Sequence, residues 1–220
     1  MGEVVIILFD LDGTLIDSTE AILESFHFAY DFYNEKHPSD EEIKALIGHP
    51  LDVMFSRLGI DEERVWDFVA VYKEHYRKIS TQKTVLLPYA REAVELASSF
   101  AKLGIVTTKT GKYSQVLMEH FGLMEKFEVL IGREHVEHPK PHAEPILKAL
   151  EYFEHFDKRD VWMIGDTELD LIAADAAGVN SIAVLSGYGT KKELERFTDV
   201  IFSDAYTAVK WLKGRDLSQS

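Results

Sequence analysis

Apolar positions along the chain fall into two kinds of run. Short β-branched stretches lie at Val4–Phe9, Gly104–Thr107, Phe127–Ile131, Val161–Ile164, Ser181–Leu185 and Val200–Phe202. None alternates apolar with polar. A strand with one wet face alternates, and a strand covered on both faces does not, so these stretches predict strands of a fully buried sheet. Between the later ones lie helical patterns at Tyr89–Phe100, Lys112–Phe121, Ala143–Phe153, Leu169–Ala177 and Tyr206–Leu212. Strand and helix in series predict right-handed βαβ crossovers, hence an α/β fold with a doubly wound, mainly parallel sheet. Pro88 stands ahead of the first of these helices, and Gly178 follows the run that ends at Ala177. Both are natural helix punctuation.

Residues 17–83 interrupt the series with helical pattern only. Val65, Phe68, Val69, Tyr72, Tyr76 and Ile79 share one helix face. Asp17 as N-cap with Glu20 three residues later predicts a helix start. The stripe Phe26, Tyr30, Tyr33 reads as core, and the acid clusters at Asp40–Glu42 and Asp61–Glu63 read as first turns, where carboxylates favour the helix dipole. The domain plan is therefore an α/β core made of 1–16 and 84–220, with a helical cap at 17–83 inserted after the first strand. The polar tail from Gly214 to Ser220 is expected to fray.

Charge and composition narrow the function classes. The 220 residues carry 24 Lys and Arg against 38 Asp and Glu, a net charge of −14. That balance argues against nucleic-acid binding, which needs a basic surface. A small anionic substrate is still allowed, because a local site can be positive. There is no Cys, which removes disulfides, thiolate metal sites and thiol nucleophiles. The early apolar run is too short to span a membrane and lacks the basic residues that open a signal peptide. Met1-Gly2 could open a myristoylation motif, but Ile6 stands where Ser or Thr is needed. These readings predict a cytoplasmic protein with no membrane partner, as a monomer or homodimer.

Candidate chemistry gathers at strand tips, where open α/β sheets bind ligands. The first strand runs out into Asp10-Leu11-Asp12-Gly13-Thr14. Two residues apart, Asp10 and Asp12 point to one side of an extended chain, and Gly13 lets the backbone turn or approach a ligand. A plain Asp-Gly turn is the alternative. A second pair follows Val161–Ile164: Asp166 at the strand tip and Asp170 in the next helix's first turn, where it could equally be a cap. Four carboxylates in one crevice repel, and a hard divalent cation, Mg2+, is the remedy. Thr107 and the Thr108 backbone end the strand that begins at Gly104 and could hold phosphate oxygens. Lys140 sits between Pro139 and Pro141, which fix the backbone around its point charge. His135, His138 and His142 are separated by prolines, so no helix face presents them to zinc.

Together these motifs resemble those of the haloacid dehalogenase superfamily of aspartyl-phosphate phosphohydrolases, in order and spacing over essentially the whole chain. The resemblance implies a Rossmann-like core with a small helical cap. It implies Asp10 as nucleophile, Asp12 as acid and base, and Thr107, Thr108, Gly13 and Lys140 as phosphoryl contacts. Mg2+ would lie among Asp10, the Asp12 carbonyl, Asp166 and Asp170. Dehalogenases and phosphonatases of the superfamily lack an acid at the Asp12 position, so its presence implies phosphoryl transfer. Ile47-Gly48-His49-Pro50-Leu51 and Thr107-Thr108-Lys109 are similar to the phosphoglycolate phosphatase-like and pyrophosphatase-like branch. The chain departs from that branch at Thr108, where Asn is usual, and after Lys140-Pro141.

The expectation is a magnesium-dependent phosphatase of small phosphorylated metabolites, phosphoglycolate leading. Inorganic pyrophosphate, sugar phosphates and nucleotides are alternatives, as is a phosphomutase using Arg57 or Lys44 for a second phosphate. A non-catalytic binding module is the rival from another class. Gly48 and His49 are the cap residues expected to touch the leaving group.

Overall fold

The computed structural model describes residues 4–219, so Met1-Gly2 and Ser220 lie outside the described residues. In chain order the strands are β1 (Ile6–Phe9), β2 (Ile16–Asp17), β3 (Val85–Leu86), β4 (Lys102–Val106), β5 (Val129–Ile131), β6 (Val161–Gly165), β7 (Asn180–Val184) and β8 (Ile201–Phe202). The helices are α1 (Thr19–Phe32), α2 (Asp40–Lys44), α3 (Leu51–Arg57), α4 (Glu62–Lys83), α5 (Ala90–Ala97), α6 (Gly111–His120), α7 (Glu144–Leu150), α8 (Glu168–Ala177), α9 (Lys191–Leu194) and α10 (Ala205–Gln219).

Six strands form one parallel sheet in the order β5-β4-β1-β6-β7-β8. The chain builds outward from β1 to β5, then returns to the other side of β1 for β6. That reversal opens a crevice beyond the tips of β1 and β6. The missing alternation has its cause here. Ile7 and Phe9 pack with Ala93, Val94, Leu117 and Val209 of α5, α6 and α10 on one face. Ile6 and Leu8 pack with Ile146, Ala149, Ala173 and Ala174 of α7 and α8 on the other.

Helices α1–α4 surround a core of their own, largely aromatic. Phe26 meets Phe55 and Tyr72 at centroid distances of 4.5 and 5.0 Å. Each such pair adds roughly 0.5–1.5 kcal/mol beyond its buried area. The two connections to the sheet run side by side as a short antiparallel ribbon, β2 with β3.

Three local expectations are corrected. The ribbon was not visible in the sequence, because each strand is only two residues long. Helix α1 begins one turn position later than the Asp17 cap requires. Ser18 occupies the N-cap without capping by its side chain, Asp17 Oδ1 accepts from the Thr19 N–H at 2.9 Å, and Glu20 pairs with Lys83 at 2.6 Å instead of closing a box. The Ser18 hydroxyl is needed elsewhere, at Asp12. The tail from Gly214 continues α10 to Gln219, with Arg215 stacked over Trp211 at 4.7 Å.

Candidate active site

The crevice between the tips of β1 and β6 gathers the acids of two strands. Asp10 follows β1, and its N–H donates to the Ile164 carbonyl of β6 at 2.9 Å, which fixes the two tips side by side. Asp10, Asp166 and Asp170 offer carboxylate oxygens that all lie within 4.8 Å of one another. All three are buried, Asp166 and Asp170 completely.

Each acid is held by a different device. Asp166 Oδ1 accepts from the Thr14 hydroxyl at 3.1 Å and Oδ2 from the Tyr188 N–H at 2.8 Å. Asp170 turns Oδ2 back to the N–H and hydroxyl of Thr167, at 3.1 and 2.8 Å, as the third residue of a capping box. Its Oδ1 meets Lys140 Nζ at 2.5 Å. The cap reading and the site reading of Asp170 are thus both true, one for each oxygen.

Lys140 arrives from the segment between β5 and α7. Its ammonium reaches Asp10 Oδ1 at 2.9 Å, Asp170 Oδ1 at 2.5 Å and the Val106 carbonyl at 3.0 Å. Burial works to lower its pKa, but the Asp10 and Asp170 charges outweigh it and hold the ammonium protonated. Burial pushes the Asp10 carboxyl up to about 7, against the pull of Lys140 and with Asp170 adding to the rise. Asp166 is raised too, by burial and then by its two acidic neighbours. The Asp10 Oδ1 contact with Lys140 is an ion pair without hydrogen-bond alignment, leaving that buried oxygen short of a partner.

Asp12 sits on the cap side of Asp10. The Ser18 hydroxyl donates to its Oδ1, and Lys109 Nζ pairs with its Oδ2 at 2.9 Å. Lys109 also lies 4.7 Å above the Tyr76 ring of α4. Burial opposes its charge, but Asp12 and the two tyrosines beside it hold its pKa well above the ordinary lysine value. Thr107 Oγ1 accepts the Lys109 N–H at 3.2 Å, which leaves the Thr107 hydroxyl proton free. The Thr108 hydroxyl is spent on the Gly48 carbonyl at 2.7 Å, so only its backbone faces the crevice chemistry.

Glycines make the crevice possible. Gly13 has φ +80°, and a Cβ there would lie 2.2 Å from Asp166 Oδ2. A Cβ on Gly187 would lie 2.0 Å from the same oxygen. Close backbone approach from both sides is what encloses Asp166.

Gly48 and His49 do not join the carboxylates. They border a separate cavity of about 220 Å³ between cap and core, which Asp12 and Lys109 also border. His49 Nε2 lies 3.0 Å from Arg57 Nη1, and neither Arg57 nor Lys44 borders the cavity. Burial and then the Arg57 charge push the His49 pKa down. The proline-separated histidines are a correction: His138 and His142 meet after all, ring centroids 4.9 Å apart, beside Glu144. The chain turns back between them without a helix. His135 stays apart, its Nδ1 accepting the Gly132 N–H.

Sequence reasoning missed Lys109, Ser18, Thr14 and Tyr188 as site residues. The one visible signal was Ser186-Gly187-Tyr188-Gly189, a glycine-rich turn directly after β7.

Comparison with known proteins places this geometry. The family model described as haloacid dehalogenase-like hydrolase matches residues 7–184. Pyrophosphatase PpaX of Halalkalibacterium halodurans is 36% identical over 195 residues, covering 87% of each chain. A haloacid dehalogenase-like family hydrolase from Streptococcus pneumoniae superposes with a TM-score of 0.84 at 26% identity, covering 96% of this chain and 99% of that one. A protein described as a predicted phosphoglycolate phosphatase from Haemophilus somnus gives 0.86 at 25% identity, with the same coverage. The chain belongs to the haloacid dehalogenase-like hydrolases.

Proposed function

We propose that this haloacid dehalogenase-like hydrolase is a magnesium-dependent phosphatase of small phosphorylated metabolites, working in the cytoplasm through an aspartyl phosphate on Asp10. The observation that carries this reading is the charge balance of the buried crevice. Asp12 pairs with Lys109, and the clustered carboxylates Asp10, Asp166 and Asp170 face one ammonium group among the described residues, Lys140. The excess of two negative charges matches one divalent cation.

The residues fit that ion. Asp10 Oδ1 has no hydrogen-bond partner, and the donors are hard carboxylate oxygens gathered within 4.8 Å of one another. Asp10, Asp166, Asp170 and the Asp12 carbonyl would hold it. Bound Mg2+ supplies Lewis-acid neutralisation of the phosphoryl oxygens and keeps the acids ionised at neutral pH.

The protein's own groups do the rest. An Asp10 carboxylate oxygen attacks phosphorus, and the bond from phosphorus to the leaving oxygen breaks. Asp12 gives that oxygen its proton, then takes one from the water that hydrolyses the aspartyl phosphate, releasing inorganic phosphate and restoring Asp10. Lys140 fixes the orientation of the nucleophile and neutralises its surroundings. The Thr107 hydroxyl and the Thr108 N–H would take phosphoryl oxygens, as the transfer rests on positioning and charge.

Names of relatives favour a second reading, an inorganic pyrophosphatase, since Pyrophosphatase PpaX proteins of Halalkalibacterium halodurans and Bacillus cereus are 34–36% identical. Phosphate release from acetyl phosphate, phosphoglycolate and pyrophosphate, with Mg2+ and with chelator, tests both. Magnesium-dependent turnover is expected. Full activity after exhaustive chelation would overturn the metal reading, and no turnover of any substrate would overturn phosphatase function.

A further inference from the structure

The phosphoryl machinery grips only a phosphoryl group, and the cavity beside it has a chemistry of its own. It holds about 220 Å³. At roughly 30 Å³ per water-sized group, that is space for about seven non-hydrogen atoms. Asp12 borders it, so whatever fills it is attached to the oxygen that Asp12 protonates.

The cap wall of this space is apolar. Ile22, Ile47, Leu51, Met54 and Val69 line it. Tyr72, Tyr76, Tyr113 and the largely exposed Trp66 also line it. Those apolar side chains offer no partner to the oxygens of a phosphate or carboxylate, and burying such oxygens against them is costly; Lys73, Asp52 and His49 are the polar groups on the cap side.

Charge gives the same answer. The lining includes three cations, Lys73, Lys109 and Arg133, and three carboxylates, Asp12, Asp52 and Glu134. Lys109 is committed to Asp12, and Glu134 accepts the N–H groups of Gly111 and Lys112 at 2.7 and 3.1 Å. No net positive field remains for a second phosphate. Arg133 Nη1 donates to the Val136 carbonyl, but its Nε is buried without a partner, which is a place for one acceptor. His49 adds a neutral donor. A guanidinium can only donate, so His49 Nε2 accepts from Arg57 and Nδ1 carries the ring proton.

On the basis of the phosphatase reading, we infer that the preferred substrate is a phosphomonoester whose alcohol has an aromatic or branched apolar body of about seven carbons and at most one charge. Pyrophosphate and phosphoglycolate, small and polar on every side, fill the cavity poorly.

The test uses the Mg2+-saturated protein. Values of kcat/KM are compared for benzyl phosphate and 3-methylbutyl phosphate against ethyl phosphate, phosphoglycolate and pyrophosphate. Benzyl, 3-methylbutyl and ethyl alcohol leave with similar difficulty, so differences among their phosphates report on the cavity, while pyrophosphate starts with the better leaving group. Acetyl phosphate serves as the reference for core chemistry. Benzyl phosphate is expected to exceed ethyl phosphate at least roughly tenfold, and to exceed pyrophosphate. Tryptophan fluorescence should show tighter binding of benzylphosphonate than of methylphosphonate. Leu51→Trp, at a half-buried position, should lower the benzyl-to-ethyl ratio. Turnover of acetyl phosphate with benzyl and ethyl phosphate equal within about twofold, or with pyrophosphate or phosphoglycolate best, overturns the inference and leaves the phosphatase reading standing. No turnover of any compound, acetyl phosphate included, overturns the phosphatase reading itself.

Discussion

Replacing Lys109 by Met removes a charge and keeps most of the stem. In the native protein the Lys109 and Asp12 side chains are only 10% and 11% exposed, 2.9 Å apart, with the ammonium over Tyr76. Without it, the Asp12 carboxylate remains buried with the Ser18 hydroxyl as its one hydrogen-bond donor. Breaking a buried pair from one side costs about 3–5 kcal/mol. For a chain of this size each kcal/mol moves the melting temperature by about 2–4 °C, so Lys109→Met should melt at least roughly 6 °C lower. Asp12→Asn leaves Lys109 buried and unpaired and should also destabilise. The double variant Asp12→Asn/Lys109→Met removes both charges and should lose less than the two single losses combined, by about 1–3 kcal/mol. Calorimetry in chelator, with all four proteins at one pH, measures the cycle free of metal effects. A Lys109→Met protein within about 2 °C of the parent, or strictly additive losses, would refute the claim that this pair is buried and coupled.

Other consequences are as direct. Asp10→Asn should cut kcat below about a tenth without lowering the melting temperature, because it takes one charge out of a crowded acid cluster; a well-folded, deamidation-free variant above that level removes Asp10 as nucleophile. In chelator, the raised Asp10 carboxyl contributes stability in full below its unfolded pKa of 3.8, and loses it as pH rises through about 7. In chelator the parent should therefore lose melting temperature relative to Asp10→Asn across that window, and Mg2+ should offset the loss; a pH-independent difference between the two proteins counts against the buried acid cluster. Gly13→Ala puts a methyl group 2.2 Å from Asp166 Oδ2 at φ +80°, so kcat should drop more than roughly tenfold, and unchanged kinetics would mean that the turn relaxes freely. His49→Ala should reorder substrates by kcat/KM while acetyl phosphate changes much less; no reordering would make His49 a bystander of the cavity.

What the sequence revealed of this fold depended on whether the cause was local. The six sheet strands were legible because burial on both faces erases alternation, and each appears within two residues of its expected span. Asp10, Asp12, Asp166 and Asp170 were legible because a turn or a cap explains each pair alone, but not two strand tips that both carry paired acids. Lys109 was not. It stands two residues beyond Thr107, and only the approach of Asp12 and of Tyr76 on α4 gives it a task. Ser18 was not legible for the same reason. The local pattern put the N-cap at Asp17 with Glu20 at N3, whereas the structure puts Ser18 at the N-cap and gives its hydroxyl to a carboxylate six residues earlier. The β2–β3 ribbon left no trace, since two-residue strands carry no periodicity.

Several contacts of the site come from the cap, and that has a consequence. Ser18 and Thr19 open the first cap helix, Tyr76 lies on the longest one, and Gly48 is on a cap loop. Their partners are Asp12, Tyr188, Lys109 and Thr108, all in the core. Asp12, the acid of the proposed mechanism, is therefore fixed partly from the cap. Asp10, by contrast, is held from the core, by Lys140 and the Ile164 carbonyl. Displacing the cap would take the Ser18 hydroxyl from Asp12 and the Tyr76 ring from Lys109, while Asp10, Asp166 and Asp170 kept every contact described above. In the proposed mechanism, cap position thus bears on the protonation step at the leaving oxygen far more than on attack by Asp10. A substrate with a good leaving group, such as acetyl phosphate, needs that proton least, which is why its turnover isolates the core from the cap.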